Sequence, residues 1–275
     1  LYEAPSDAPA LSSQRARCQV AFEARREALL ASLDPALRPS VLDNASPVAR
    51  RWMSAIPFGP NLKLTPSEVA AGLHARTLCP GKDDHCQHCG LDNAFGHDDV
   101  CGARPLWRIA RHEQVKKLLA HHLKSIKDTD VRLEPFVPGS HLRTDLMVSG
   151  PGSHQGPVSE LDVAVVSAGT LAGRSPPLPS SSLPFVPPSS LGPLAAASPG
   201  ALLHPLPVTE AAQRAKDEGR TSSPFFPFFL SAAGSPSSSS LPLFAHWKEH
   251  MPYFSLFTRL LSLQLLRARG RFFTF

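Results

Sequence analysis

The chain has 275 residues, enough for one large domain or two small ones, and 42% of them are hydrophobic, enough for a core. A net charge of +5 and a pI of about 9.1 favour an anionic partner without specifying one. No apolar run reaches the roughly 18 residues of a membrane span, and residues 1–20 hold no apolar signal-peptide core, so neither a helical membrane protein nor a secreted one is expected.

The chain begins at Leu1 rather than Met, which suggests a fragment or a processed product. Residues 1–78 read as a helical connector. After an Ala-, Pro- and Ser-rich start, the spacing of Val20, Phe22, Leu29, Leu30 and Leu33 predicts a helix from Gln14 to Leu33, ended by Pro35 and Pro39. A second helix is expected from Pro47 to Ala55, with Val48, Trp52 and Ile56 on one face. A third, Pro66 to Leu78, starts at Thr65-Pro66-Ser67-Glu68, where Thr65 can cap and Glu68 can close a capping box; it would bury Val69, Ala70 and Leu73. No chemistry is assigned to these helices.

Residues 79–104 contain Cys86-x2-Cys89-x7-His97-x3-Cys101. Zinc favours four thiolate or imidazole ligands in a tetrahedron, commonly a close cysteine pair and a second pair further on. Gly90 suits the tight turn after the first pair. A closed set of three cysteines and one histidine leaves no site for water and is structural. Cys79, His85 and His88 remain alternative ligands, and cysteines reduced and buried without metal are the plainer alternative. Five cysteines in all, three of them in metal spacing, argue for a reducing compartment rather than a disulfide framework.

The next segment, 105–169, opens with a basic helix, Arg108 to Ile126. Ile109, Val115, Leu118, Leu119, Leu123 and Ile126 form its apolar stripe, and Arg108, Arg111, Lys116, Lys117 and Lys124 cover the remainder, a face suited to phosphates or simply to solvent. Three strands follow: Val131–Val137, Leu142–Val148 with Asp145, and Ser159–Ser167 with Asp162. An acid on an apolar strand is costly to bury unless it is paired or metal-bound. Two on adjacent strands can share Mg²⁺, which takes one or two carboxylates plus water and phosphate oxygens. Alternatively, both acids are exposed at strand edges.

Between Val163 and Thr209 the only charge is Arg174, and Pro, Ser, Leu and Ala dominate, so 170–207 reads as a disordered insertion. Residues 208–234 return to ordinary composition. The remainder, 235–275, holds a low-complexity patch at Ser235–Ser240 and an amphipathic helix, Met251 to Arg269, with Phe254, Phe257, Leu260, Leu261 and Leu265 on its apolar side.

The run of Cys86, Cys89, His97 and Cys101, then Arg111-His112, Glu134-Pro135, Arg143-Thr144-Asp145 and Leu161-Asp162-Val163-Ala164-Val165-Val166, resembles the C-terminal end of site-specific non-LTR retrotransposon polyproteins. That end carries a zinc knuckle and a restriction-like endonuclease of the PD-(D/E)xK superfamily beside a reverse transcriptase. Glu210–Asp217 resembles the helix after its third strand and Phe225–Gly234 its next strand. The resemblance spans roughly 48–235. It implies an α/β core in the order helix-strand-strand-strand-helix-strand that nicks target DNA so that element RNA can be copied there, in the nucleus. Asp145 and Asp162 would be the ligands of catalytic Mg²⁺ or Mn²⁺, with Lys216 as the catalytic lysine and Glu134 as a further acid. Arg108, Arg111, Lys116, Lys117 and Arg143 would contact nucleic acid. The implied partners are DNA and element RNA, with structural zinc, no membrane and no small-molecule cofactor. Thr144 stands where the family carries proline, and Ala164 stands where a (D/E)xK strand carries lysine. The alternative is a catalytically inactive zinc-knuckle remnant that binds nucleic acid.

Overall fold

A four-stranded sheet carries the core in the computed structural model, which describes residues 14–35, 37–78, 84–93, 96–136, 143–167 and 225–271. The strands β1 (Asp130–Leu133), β2 (Leu146–Ser149), β3 (Val158–Val166) and β4 (Phe225–Ser231) lie in the order β1-β2-β3-β4. The first two pairings are antiparallel and β3–β4 is parallel. Six helices accompany them among the described residues: α1 (Gln14–Ser32), α2 (Arg38–Ala45), α3 (Pro66–Thr77), α4 (Pro105–Leu123), α5 (Ser240–His250) and α6 (Phe254–Gly270). The protein is therefore mixed α/β, as its sequence implies. The 170–207 insertion, the helix expected at Glu210–Asp217 and Lys216 within it, Cys79 and the strand ends Val137 and Leu142 lie outside the described residues.

Strand alternation decides which face is buried. Leu161 and Val163 of β3, Leu146 and Val148 of β2, and Phe228 and Leu230 of β4 are all almost fully buried and belong to one cluster. Val115, Leu119 and Leu123 of α4, Leu243 and Trp247 of α5, and Phe257, Leu261 and Leu265 of α6 complete it. Burying each such side chain is worth about 1.5–3 kcal/mol relative to exposure. Asp162 and Ala164, the alternate residues of β3, are half-buried.

Elsewhere the packing departs from the sequence reading. Thr65 and Glu68 do form the capping box of α3, but that helix buries Ala71 and Gly72 and leaves Leu73 half exposed. The reason is close approach: a Cβ on Gly72 would come within 2.9 Å of both Trp52 and Leu266. The contact face of α3 is thus chosen for small size rather than for apolarity. Pro39 does not terminate a helix. It occupies the first turn of α2, where a missing N–H costs nothing. Residues 47–55 make only a short 3-10 turn, Arg51–Ser54, whose Trp52 N–H donates to Ser262 Oγ of α6 at 3.1 Å.

The serine run is likewise built into the core. Ser235, Ser237 and Ser240 are at most 1% exposed. Ser240 Oγ accepts from Phe229 N at 2.9 Å, and Ser237 N donates to Phe229 O at 3.0 Å. Small hydroxyl side chains here satisfy the buried backbone where the chain leaves β4 and enters α5.

Candidate metal centre and acidic pair

The loop before α4 folds back on itself through backbone bonds. Cys86 N donates to Leu91 O and Gly90 N to Cys86 O, both at 2.8 Å, with Gly90 at φ +71°, a conformation glycine adopts freely. Gly96, at φ +83°, opens the 3-10 turn His97–Asp99 that returns His97 and Cys101 to the first pair. Cys86 and Cys101 sulfurs stand 3.8 Å apart, Cys89 Sγ lies 3.1 Å from His97 Nε2, and the four donor atoms all lie within 4.8 Å of one another. Ligands about 2.3 Å from a tetrahedral zinc stand about 3.8 Å apart, within the range of these separations. Burial pushes the Cys86 thiol up, but the backbone N–H groups of His88 and Cys89 and neighbouring sulfurs outweigh it and bring it down to about 6. Thiolate is the ligating form. The set could hold a metal such as zinc. His85 instead faces Asp92 at 3.4 Å on the surface, and His88 is exposed.

Asp99, between the ligands His97 and Cys101, fastens this module to the core. It is 6% exposed and binds Arg111 of α4 at 3.3 Å and Arg269 of α6 at 2.9 Å, and Ser167 Oγ beyond β3 donates to it at 3.3 Å. Burial opposes its charge, yet Arg269 and Arg111 hold its carboxyl below the ordinary range. Arg269 also faces Asp43, a fully buried carboxyl that burial pushes up despite that cation and hydrogen bonds from Ser231 and Ser235.

Asp145 directly precedes β2. Continuing the register Leu146↔Leu161 by one pair sets it opposite Asp162, whose side chain helps to hold the Asp145 carboxyl down. Asp145 Oδ2 also accepts from Val163 N at 2.8 Å and lies 3.1 Å from His112 Nε2 of α4, which is 3.0 Å from Val163 O. Burial disfavours the Asp145 carboxylate, but His112, Asp162 and the Val163 N–H together hold it down to about 2. His112 is raised in return, chiefly by its bond to Asp145. Thr144 fills the position where the resemblance implies proline, and its hydroxyl donates to Leu161 O at 2.8 Å, tying this corner to β3.

A pH dependence follows. Protonated His112 binds Asp145⁻, so the pair's stability is fully present below the ordinary histidine value of about 6.5 and is lost as pH rises through the raised folded value. Without divalent cation, His112→Gln should therefore destabilise the protein most at pH 6, with the gap to wild type narrowing toward pH 9 in thermal melts. A gap constant across that range would refute the ion pair.

The remaining candidates are dispersed. Glu134, at φ +49° and about half exposed, pairs with Lys116, which also pairs with Glu113. Lys116 and Arg111 are buried within ion pairs, so the basic face expected of α4 is narrower than its sequence suggests; Arg108 and Lys117 remain exposed on it. Arg143 lies over the exposed Phe136 ring at 4.4 Å. Sequence reasoning gave no role to His112, Asp99, Arg269 or Asp43. His112 figured only as part of Arg111-His112 in the resemblance, with no role assigned to it.

No protein-family model matches the chain, and no curated protein does. Fold and site define a mixed α/β protein with a Cys3His cluster that could hold a metal such as zinc. Among the described residues, no helix is long and apolar enough to cross a membrane.

Proposed function

We propose that this chain is the zinc-knuckle and endonuclease region of a non-LTR retroelement polyprotein, with a restriction-like core that nicks target DNA. The observation that carries the reading is the placement of Asp145 opposite Asp162 on neighbouring chain segments, in a chain ordered helix, strand, strand, strand and then strand. The pair fits Mg²⁺ or Mn²⁺, which uses one or two carboxylates and fills its other positions with water and phosphate oxygens. When bound, such an ion activates water and neutralises charge on the phosphate.

The chain's own groups prepare that site. The Val163 N–H fixes Asp145 and keeps it ionised, and His112 holds a proton at Nε2 against the same oxygen, screening the paired acids when no cation is present. Arg108, Lys117 and Arg143, all exposed, are cations placed to meet the DNA backbone. Lys216 would orient the water, with Glu134 the further acid. Zinc would close the Cys3His set as a structural ion. The reading implies DNA and element RNA as partners and the nucleus as the place of action. Ala164, at the position of the usual lysine, favours the second reading, a nucleic-acid-binding module that cleaves nothing.

Supercoiled plasmid incubated with Mg²⁺ or Mn²⁺ separates the two. Wild type should nick it, and Asp145→Ala and Asp162→Ala should each lower the rate by more than about 100-fold, since even groups that only support a metal ligand cost 10–100-fold. Equal nicking by all three proteins removes the assigned site. Binding without nicking selects the second reading.

A further inference from the structure

A groove of about 450 Å³ runs between α4 and α6, with Asn61 beside them, and none of the paired acids or the four cluster residues lines it. It is made by two stripes at helical spacing. Gln114, Lys117 and His121 with their neighbours Leu118 and His122 recur every three or four residues on α4, and Leu256, Leu260, Gln264 and Arg267 do so on α6. Its volume falls within the range of small-ligand sites.

Three features of the lining point to one kind of occupant. First, no acid lines it among the described residues, whereas Lys117 and Arg267 do, the latter bound to Asn61 O, Lys63 O and Glu68, and Arg271 stands at the α6 end beside Gln114. With the Gln114 oxygen turned toward Arg271, that amide accepts from both guanidinium Nη atoms, at 3.0 and 3.1 Å. Lys117 and Arg271 are exposed. Second, Leu118, Leu256 and Leu260 give the groove an apolar floor on which a flat ring can lie. Third, neutral polar side chains line the same space. Gln114 and Gln264 are within hydrogen-bond distance of each other, and His122, only 6% exposed, has a buried Nε2 with no partner among the described residues. Burial lowers His122, so its ring is the neutral form, able to donate or accept.

We propose that the α4–α6 groove takes one unpaired nucleotide of a single-stranded nucleic acid, its base on the leucine floor and its edge against Gln264 and His122, with flanking phosphates on Lys117 and Arg271. This deepens the nucleic-acid reading above and rests on it. A duplex is the poorer fit, because its base edges are already paired and it offers no free base to enter the groove. At a nick, the freed end of the cut strand is such a strand.

The test is anisotropy of a fluorescein-labelled 15-nucleotide single-stranded DNA, with zinc-loaded protein, no Mg²⁺ and a salt series. Lys117→Ala combined with Arg271→Ala should weaken binding about tenfold and reduce the slope of log K against log salt by about 1.4, roughly 0.7 for each phosphate that is no longer neutralised. Gln264→Leu should weaken binding about threefold with no change in slope, which separates an edge contact from a backbone contact. Leu260→Trp, which fills the groove, should weaken binding as much as the double variant. Unchanged affinity and slope in the groove variants, or equal competition by a duplex of the same length, overturns the groove while leaving the nuclease reading to the nicking assay. A wild type that binds no single strand likewise overturns the groove, and the plasmid assay alone then decides the nuclease reading.

Discussion

Asp99→Ala should cost about 3–5 kcal/mol of folding stability, the range for removing one partner of a buried ion pair and leaving the other charge stranded. Asp99 is met by Arg111, itself 5% exposed, and by Arg269, which also faces the buried and reluctantly ionised Asp43. Without Asp99, Arg111 would lose its ion-pair partner and Arg269 would keep only that poor one. Asp99→Asn should be milder, because an amide oxygen still accepts while the charge is lost. The sign with pH follows from the lowered carboxyl. Asp99 contributes fully above its ordinary value of 3.8, and that contribution fades as pH falls through the lowered one, so wild type and Asp99→Ala should converge in acid. Urea denaturation at pH 7 measures the difference. A loss below about 1 kcal/mol would mean that the arginines find water or other partners, and the knuckle would then not be anchored as described.

Metal removal should have the larger effect. The protein should bind one zinc ion per chain, and Cys89→Ser should lose it; Cys89 is the better target because it is only half-buried. Structural zinc contributes on the order of 10 kcal/mol in isolated knuckle-sized peptides, since ligation and folding are one event there. In this chain the loss should spread beyond the loop. Asp99 sits between His97 and Cys101, so a loop without its ion no longer delivers that carboxylate to Arg111 and Arg269. Chelation should therefore destabilise the core as well, and Asp99→Ala should cost much less in chelated protein than in zinc-loaded protein. Additive effects would show that knuckle and core are independent. Metal analysis that finds no zinc would remove the knuckle altogether.

The helix-expecting stretches and the acidic strands were legible because their signals are local. The capping box of α3 lies within four residues, and the period-2 pattern of Leu161, Val163 and Val165 marks β3 whatever it packs against. Other elements gave misleading signals. Pro39 reads as a stop but serves equally in a first turn, and only the following chain distinguishes the two. Ser235–Ser240 has the composition of a loose segment, yet its hydroxyls serve buried backbone from β4. Composition reports how polar a residue is, not whether a partner waits for it inside.

The charged residues show this most plainly. Arg108, Arg111, Lys116 and Lys117 look alike on one helix, and α4 buries the middle two while exposing the outer two. The difference comes from Asp99, 12 residues away from Arg111, and Glu134, 18 away from Lys116. His112 likewise gains its meaning from Asp145, 33 residues on.

By itself the sequence pointed to Cys86, Cys89, His97 and Cys101 as a ligand set, with Cys79, His85 and His88 left open, and to α3, α4 and β3 with Asp162, because spacing, capping and alternation act within a few residues. Only the tertiary structure decided that Asp145 meets Asp162 and His112, that Asp99 and Arg269 bind the cluster to the core across 170 residues, and that α4 and α6 leave a basic groove between them. Those outcomes depend on which charges find a partner on burial. That is settled by the energy of pairing at contact, which neither residue carries alone.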